Sequence, residues 1–218
     1  MSTVTVTAFK WVPPIVQGLV RDLRVRWALD EADIPYQVKL IGAEDQKSAA
    51  YRALQPFGQV PVYEDDGLKL FESGGILLHI AERSPKLMPT DANERARVRT
   101  WLFAALNSIE PNIQNLAEID LFNANEAWAK QRRPAVVEMV RARLTDLSRV
   151  LADREYLERN FSVADLLMTT VLRILRHTEL VAEVPVLDAY KKRCEARPAF
   201  KKALADQLAA FKKYAPKK

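Results

Sequence analysis

The chain has 218 residues, 49% of them apolar, and a net charge of +5, enough material for one large domain or two small ones with a sizeable core. No apolar run reaches the roughly 18 residues that cross a membrane, and the opening Met-Ser-Thr-Val-Thr-Val-Thr lacks the charged start and apolar block of a secretory signal. One cysteine excludes an internal disulfide framework and fits a reducing compartment, and with only two histidines beside it no protein-built zinc site is expected.

Residues 3–9 alternate and are β-branched, which predicts a strand. Residues 10–18 hold two prolines and a glycine and read as a loop. Leu19–Ala32 carries an apolar row through Val20, Leu23 and Trp27, with Arg21, Arg24, Asp30 and Glu31 on the wetter side, and reads as a helix ended before Pro35. Tyr36–Ile41 is a second strand, so strand, helix and strand make a parallel crossover. A short helix is expected over Asp45–Leu54, strands over Pro61–Glu64 and Leu68–Phe71 joined by an Asp66-Gly67 turn, and a helix over 74–82. The sum, βαβ then ββα, is an α/β thioredoxin-like domain over residues 1–83.

Residues 84–91 form a proline-punctuated linker, and 92–218 read as an all-α helical bundle. Ala92–Ile109 is amphipathic, with Pro111 kinking its continuation, and Arg132-Arg133-Pro134 opens a helix to Ala152. Ser162 and Asp165 have capping-box spacing before Leu166–Arg176, which is apolar nearly all round and belongs in the middle of a bundle. Helices over Val186–Arg197 and Ala199–Tyr214 finish the chain. Leu187, Tyr190 and Cys194 share a helical face, which makes the cysteine a core residue. The lysine pairs at 191–192, 201–202, 212–213 and 217–218, the last outside the residues described below, recur beside apolar positions and read as solvated helix faces, so no nucleic acid and no membrane is expected as a partner.

Residues 55–75 hold the strongest local signal. Val60-Pro61 sits at the mouth of a strand, where proline is tolerated and the valine main chain stays free to pair with something else. Glu72-Ser73 lies at a strand-to-helix junction, where free N–H groups favour an anion. The stretch offers main-chain pairing to an extended ligand and an anion site close by.

Gln-Pro-Phe-Gly-Gln-Val-Pro at 55–61, Glu-Ser-Gly-Gly-Ile-Leu at 72–77, Val25–Glu31 with Ile34-Pro35-Tyr36, and Phe-Ser-Val-Ala-Asp at 161–165 come in the order seen in the glutathione S-transferase family. The chain resembles that family, in its bacterial, cytosolic type, along its whole length. The resemblance implies the glutathione transferase fold and a cis Val60-Pro61 bond. It implies that Val60 pairs with the cysteinyl backbone of glutathione, that Glu72 and Ser73 hold the γ-glutamyl end, and that Gln59 lies near the glycyl end. It further implies glutathione as co-substrate with no metal, a small apolar second substrate, a homodimer and a cytoplasmic location. Trp101, Phe103 and Asn107 fall on the helix that lines the second-substrate cleft in this family.

Such enzymes turn the bound thiol into a thiolate, the nucleophilic form. Relatives carry a hydroxyl or thiol for this task in the loop after the first strand. Lys10–Gly18 contains no Ser, Thr, Cys or Tyr, and Val12-Pro13 stands in that place. No catalytic residue is assigned; the replacement donors are the Trp11 indole, main-chain N–H groups over Ile15–Leu19, and Arg21. The missing loop cysteine disfavours a protein-thiol redox cycle. Three readings are open: conjugation of glutathione to a small electrophile, a peroxidase or disulfide reductase run by bound glutathione, and a non-catalytic binding or regulatory protein of this fold. His79 and Tyr36 read as structural, and His177 as a helix-end residue.

Overall fold

The computed structural model describes residues 3–216. The alternating β-branched residues form β1 (Val4–Phe9), which buries Val4, Val6 and Ala8 and is an inner strand of the four-stranded sheet. β2 (Tyr36–Ile41) runs parallel to β1, from Val4 opposite Tyr36 to Phe9 opposite Ile41. On the other side β3 (Tyr63–Asp65) is antiparallel to β1, and β4 (Leu68–Leu70) is antiparallel to β3, giving the order β2-β1-β3-β4. The hairpin turn places Asp66 at φ 45° and Gly67 at φ 83°, the paired left-handed residues that match strand twist in a two-residue loop.

Helices complete this layer. α1 (Asp22–Glu31) follows β1, and α4 (Ser73–Ala81) follows β4 and packs on α1. The expected 45–54 helix is two short pieces, α2 (Ala43–Lys47) and α3 (Ala49–Arg52), because the Ser48 hydroxyl leaves the helix path to cap α3 through the Tyr51 N–H at 3.2 Å. α1 starts three residues later than the apolar row suggests. Leu23 and Arg24 donate to Val20 and Arg21, closing turns rather than full helical rings.

The chain divides into two compact units. One holds the residues to Leu87 together with those from Arg197 onward; the other is Met88–Ala196. In the first unit, α10 (Pro198–Lys213), which the sequence pattern groups with the helical domain, packs against α1. Trp27 is fully buried, meets Phe200 edge to face at 4.7 Å, and donates from Nε1 to Glu31 at 3.0 Å. Arg197 forks onto the same Glu31 carboxylate at 2.6 and 2.8 Å. With α4 and α10 both on it, α1 has no wet side at Arg24 and Glu31, which are 3% and 7% exposed. That corrects the amphipathic reading: residue type alone sorts charges outward, whereas their partners decide whether they bury.

The second unit is helical: α5 (Ala92–Ala104), α6 (Glu110–Ala117), α7 (Ala127–Leu151), α8 (Val163–Leu172) and α9 (Pro185–Glu195). Pro111 does not break the chain's helical path. A wide π turn over Ala105–Ile109 comes just before it, which relieves the clash of a proline ring with the carbonyl four residues back. α7 begins seven residues before Pro134, which is exposed inside the helix. The ten residues of α8 are all buried, the polar Asp165, Thr169 and Thr170 among them, as a surface apolar nearly all round requires. Asp165 anchors it: Oδ2 accepts from the Ser162 N–H at 2.9 Å, and Oδ1 accepts from the Leu157 N–H at 2.8 Å and the Tyr190 hydroxyl at 3.0 Å. The Ser162 hydroxyl accepts from the Ala164 N–H at 3.2 Å. Leu187, Tyr190 and Cys194 are buried together on α9. Among the described residues no helix is long and apolar enough to cross a membrane.

Candidate functional site

β3 is antiparallel to both its neighbours, so its beginning lies beside the ends of β1 and β4. Tyr63 stands opposite Val6 on one side and Leu70 on the other. The Thr7 N–H donates to the Val62 carbonyl at 2.8 Å, carrying the β1 register one residue beyond the strand. Three segments therefore leave the sheet at one end: the loop after Phe9, Gln59–Pro61 before β3, and Phe71–Ser73 after β4. Val60 packs there with Ile41, Tyr51 and Val62, and Phe9 lies against the cluster. The exposed rings of Phe57 and Phe71 meet edge to face at 6.2 Å and tie the second segment to the third.

The approach to β3 is held by side chains from α2 and α3. Arg52 donates to the Pro56 carbonyl at 3.0 Å, Gln46 to Gly58 at 2.5 Å, and the Tyr51 hydroxyl to Gln59 at 2.6 Å. Burial pushes the Tyr51 hydroxyl up to about 12, so it remains a donor at neutral pH. Gln55, 2% exposed, accepts from the Phe57 N–H at 2.7 Å. Gly58 has φ 63°, and a Cβ there would stand 2.5 Å from the Arg52 guanidinium carbon. The Val60-Pro61 bond is cis. The carbonyls of Pro56, Gly58 and Gln59 are thus engaged, whereas the Val60 main chain makes no hydrogen bond to any of the described residues. The Gln59 side chain is exposed beside it.

Glu72 is exposed at φ 69°, ψ 111°, a sparsely populated conformation for a residue with a side chain, costing about 1–3 kcal/mol. It turns the chain so that Ser73 becomes the first residue of α4 rather than its cap. No side chain caps this helix N-terminus, where main-chain N–H groups and the helix dipole favour negative charge. Ser73, 4% exposed, accepts a hydrogen bond on Oγ from Arg24 Nη1 at 3.1 Å. Arg24 reads in sequence as a residue on the wetter side of α1, yet it reaches Ser73 in the candidate site. Nothing in its local pattern on α1 signals the contact, which spans 49 residues of sequence.

The loop after β1 forms a single 3-10 turn, Pro14–Val16. The N–H groups of Val16, Gln17 and Leu19 donate to Pro13, Pro14 and Val16, so most of the expected main-chain donors over 15–19 are used within the loop. The Gln17 amide donates to Val12 at 2.9 Å, and Lys10 lies 3.9 Å from Asp45. The half-buried Trp11 has no hydrogen-bond partner for its indole N–H among the described residues. At the first residue of α1, Asp22 is fully buried; Arg26 donates to its Oδ2 and Gln207 to its Oδ1, both at 2.7 Å. Burial drives its carboxyl above the ordinary range, and the Arg26 charge draws it back part of the way. The N-terminus of α1 therefore already carries its own acid.

The remaining candidates lie elsewhere. His79 stacks edge to face on Tyr63 at 5.4 Å, and Tyr36 donates to Asp30 at 3.4 Å. His177 sits between the Ile174 carbonyl, 3.1 Å from Nδ1, and Asp120, 3.3 Å from Nε2. Phe103 is 61% exposed and Asn107 is exposed in the π turn, so neither is a core residue of the second unit.

Residues 7–82 match the family model for the glutathione S-transferase N-terminal domain. A glutathione S-transferase of Silene vulgaris is 32% identical over 86% of this chain and 93% of its own length, and glutathione S-transferase 4 of Zea mays is 31% identical over 93% of each chain. Among solved structures, a glutathione transferase from Burkholderia graminis with two glutathione molecules bound per subunit is 26% identical, with a TM-score of 0.81 over 93% of this chain and 87% of that one. Poplar glutathione transferase F1, at 24% identity, shares the fold with a TM-score of 0.81 over 96% of this chain and all of its own. Likeness to these relatives runs through both units and nearly the full length of each sequence, and the chain belongs to the glutathione S-transferase family.

Proposed function

We propose that the chain is a glutathione transferase that conjugates glutathione to a small apolar electrophile. The observation that carries this reading is the convergence of three segments at one end of the sheet, where an unpaired main chain at Val60 lies next to an uncapped helix N-terminus at Ser73. An extended peptide thiol pairs with the Val60 main chain. Its γ-glutamyl ammonium faces the Glu72 carboxylate, its α-carboxylate meets the Ser73 hydroxyl and the N–H groups of α4, and its glycyl end lies towards Gln59. The domain drawn at residues 1–83 is thus the glutathione-binding domain. A curated relative that matches 93% of the chain and bears the transferase name supports the same reading.

With the loop's own donors largely spent, the Trp11 indole N–H is the donor assigned to the thiolate, assisted by the Arg21 charge. A hydrogen bond to the charged form lowers a thiol's pKa. The family setting supports a cytoplasmic homodimer that uses no metal. The bacterial part of the resemblance gains no support from the curated relatives, which come from plants, and the cytosolic type stays a proposal. A second reading has one observation in its favour: that Burkholderia graminis relative holds two glutathione molecules per subunit. Two bound thiols leave as glutathione disulfide and pass two electrons to a disulfide or peroxide, which needs no protein cysteine.

The test is thiolate titration of bound glutathione by absorbance, with initial rates on chloronitrobenzene-type electrophiles and on a mixed disulfide. The wild-type chain is expected to lower the thiol pKa and to conjugate. Trp11→Phe is expected to raise that pKa and to lower kcat/KM by about tenfold to a hundredfold, the scale of one lost hydrogen bond to a charged group, about 1.5–3 kcal/mol. Binding without turnover of either substrate class overturns the enzymatic reading, and an unchanged Trp11→Phe overturns the role given to the indole.

A further inference from the structure

We propose that Arg24, buried in α1, is a positioning residue for glutathione's α-carboxylate, acting through the Ser73 hydroxyl. The inference rests on the reading that the γ-glutamyl end lies at Glu72 and Ser73. It goes beyond that reading in assigning work to a side chain that touches no ligand.

A serine hydroxyl has one proton to donate and two lone pairs to accept with, and it rotates to suit its neighbours. Arg24 Nη1 stands 3.1 Å from Ser73 Oγ. A guanidinium has no lone pair to offer, so this bond can run only from arginine to serine. One lone pair of Oγ is thereby committed, and the hydroxyl proton must point away from α1. Ser73 is the first residue of α4, and no side chain caps that helix end. The proton is therefore presented where the N–H groups of α4 also open outward, and the lone pair committed to Arg24 is turned away from an arriving carboxylate.

Burial makes this arrangement rigid. Arg24 is 3% exposed and Ser73 4%, and α1 packs directly on α4. A guanidinium on the surface would gain the same bond and lose it to water within its own rotamer freedom. The unusual backbone of Glu72, at φ 69°, serves the same end, since it swings Ser73 inward to Arg24 rather than leaving it as a flexible cap. A bond to an ionised donor also polarises the hydroxyl and makes it a stronger donor in turn.

The experiment compares two peptides on the full-length chain by calorimetry: glutathione, and 4-aminobutanoyl-cysteinylglycine, which is glutathione without its α-carboxylate. The wild-type chain is expected to prefer glutathione strongly. Arg24→Met, which keeps length but has no donor, is expected to cut that preference about tenfold, equivalent to about 1.4 kcal/mol, with the analogue's affinity unchanged. Ser73→Ala is expected to cut it by a similar factor, and the double variant no further, because the two residues act in series. A loss shared equally by both peptides makes Arg24 a merely structural residue and overturns the proposal, as do additive effects in the double variant. Should Arg24→Met not fold, Arg24→Lys keeps a charge and a donor. It is expected to hold the preference within about threefold on the Ser73 background and to change nothing on the Ser73→Ala background; an equal loss for both peptides overturns the proposal here too. A wild-type chain that binds both peptides alike refutes the placement of the γ-glutamyl end, and one that binds neither refutes glutathione binding itself.

Discussion

Asp165 holds the N-terminus of α8 through both its oxygens, and replacing it tests the packing of the helical unit. The carboxylate accepts from two main-chain N–H groups, Leu157 at 2.8 Å and Ser162 at 2.9 Å, and from the Tyr190 hydroxyl at 3.0 Å. The Ser162 hydroxyl adds a bond to Oδ2 at 3.1 Å. All these bonds are buried, so Asp165→Ala leaves three donors without an acceptor and frees the serine to turn elsewhere. Each orphaned buried donor costs about 1–3 kcal/mol. With partial relaxation the sum is about 4 kcal/mol, a large part of the roughly 5–15 kcal/mol that holds a domain together. For a chain of this size that lowers Tm by roughly 10 °C. Asp165→Asn keeps one acceptor oxygen and loses the Ser162 N–H, for about 1–2 kcal/mol. Urea unfolding followed by tryptophan fluorescence is the assay, since Trp101 and Trp128 lie in Met88–Ala196. An alanine variant within about 1 kcal/mol of the wild type, a threshold set by the ordinary value of an exposed cap, would refute the claim that this network anchors the unit.

Two further perturbations have defined outcomes. Gly58→Ala places a methyl group against the Arg52 guanidinium at a positive φ; it is expected to cost about 1–3 kcal/mol and to weaken glutathione binding, because Gly58 leads directly into Gln59 and Val60. Equal stability and affinity in melting and calorimetry would mean that the approach to β3 is not held as described. Part of the acid dependence stems from Asp165 and Asp22, whose carboxyls burial raises above the ordinary 3.8 despite their hydrogen bonds. The native state then holds protons that the unfolded chain has released, so this contribution is complete below 3.8 and declines as pH climbs through the raised values. Asp165→Asn cannot titrate, so its deficit relative to wild type should shrink as pH rises above 3.8; urea midpoints with a constant deficit would contradict the shift.

Much of the fold is written in local pattern. The alternation of residues 3–9, the Asp66-Gly67 turn and the Ser162–Asp165 spacing each specify their own geometry, and the structure shows all three. What pattern does not carry is partnership across long separations. Arg24 and Glu31 look like surface charges in sequence, yet Ser73 and Arg197 complete them from 49 and 166 residues away. Gln207 is one more polar position on a lysine-rich helix until it reaches the buried Asp22. At the site, the Gln55–Pro61 and Glu72-Ser73 segments are legible as motifs. The supports from Gln46, Tyr51 and Arg52 are not, since nothing in their spacing points at the carbonyls they hold. The loop after β1 shows its missing hydroxyl in sequence, and its geometry adds that its main-chain donors are largely spent on its own turns.

An extended peptide thiol is proposed to bind where the end of β1, the start of β3 and the end of β4 meet. Calorimetry of the full-length chain with glutathione, run beside Ser73→Ala, tests it most directly. The expected result is a saturable heat for the wild-type chain, a rise in stability of about 2.7 kcal/mol at a hundredfold excess over Kd, and a clear loss of affinity on removing the Ser73 hydroxyl. Absence of heat and of thermal shift at millimolar glutathione, or unchanged affinity in Ser73→Ala, would contradict it.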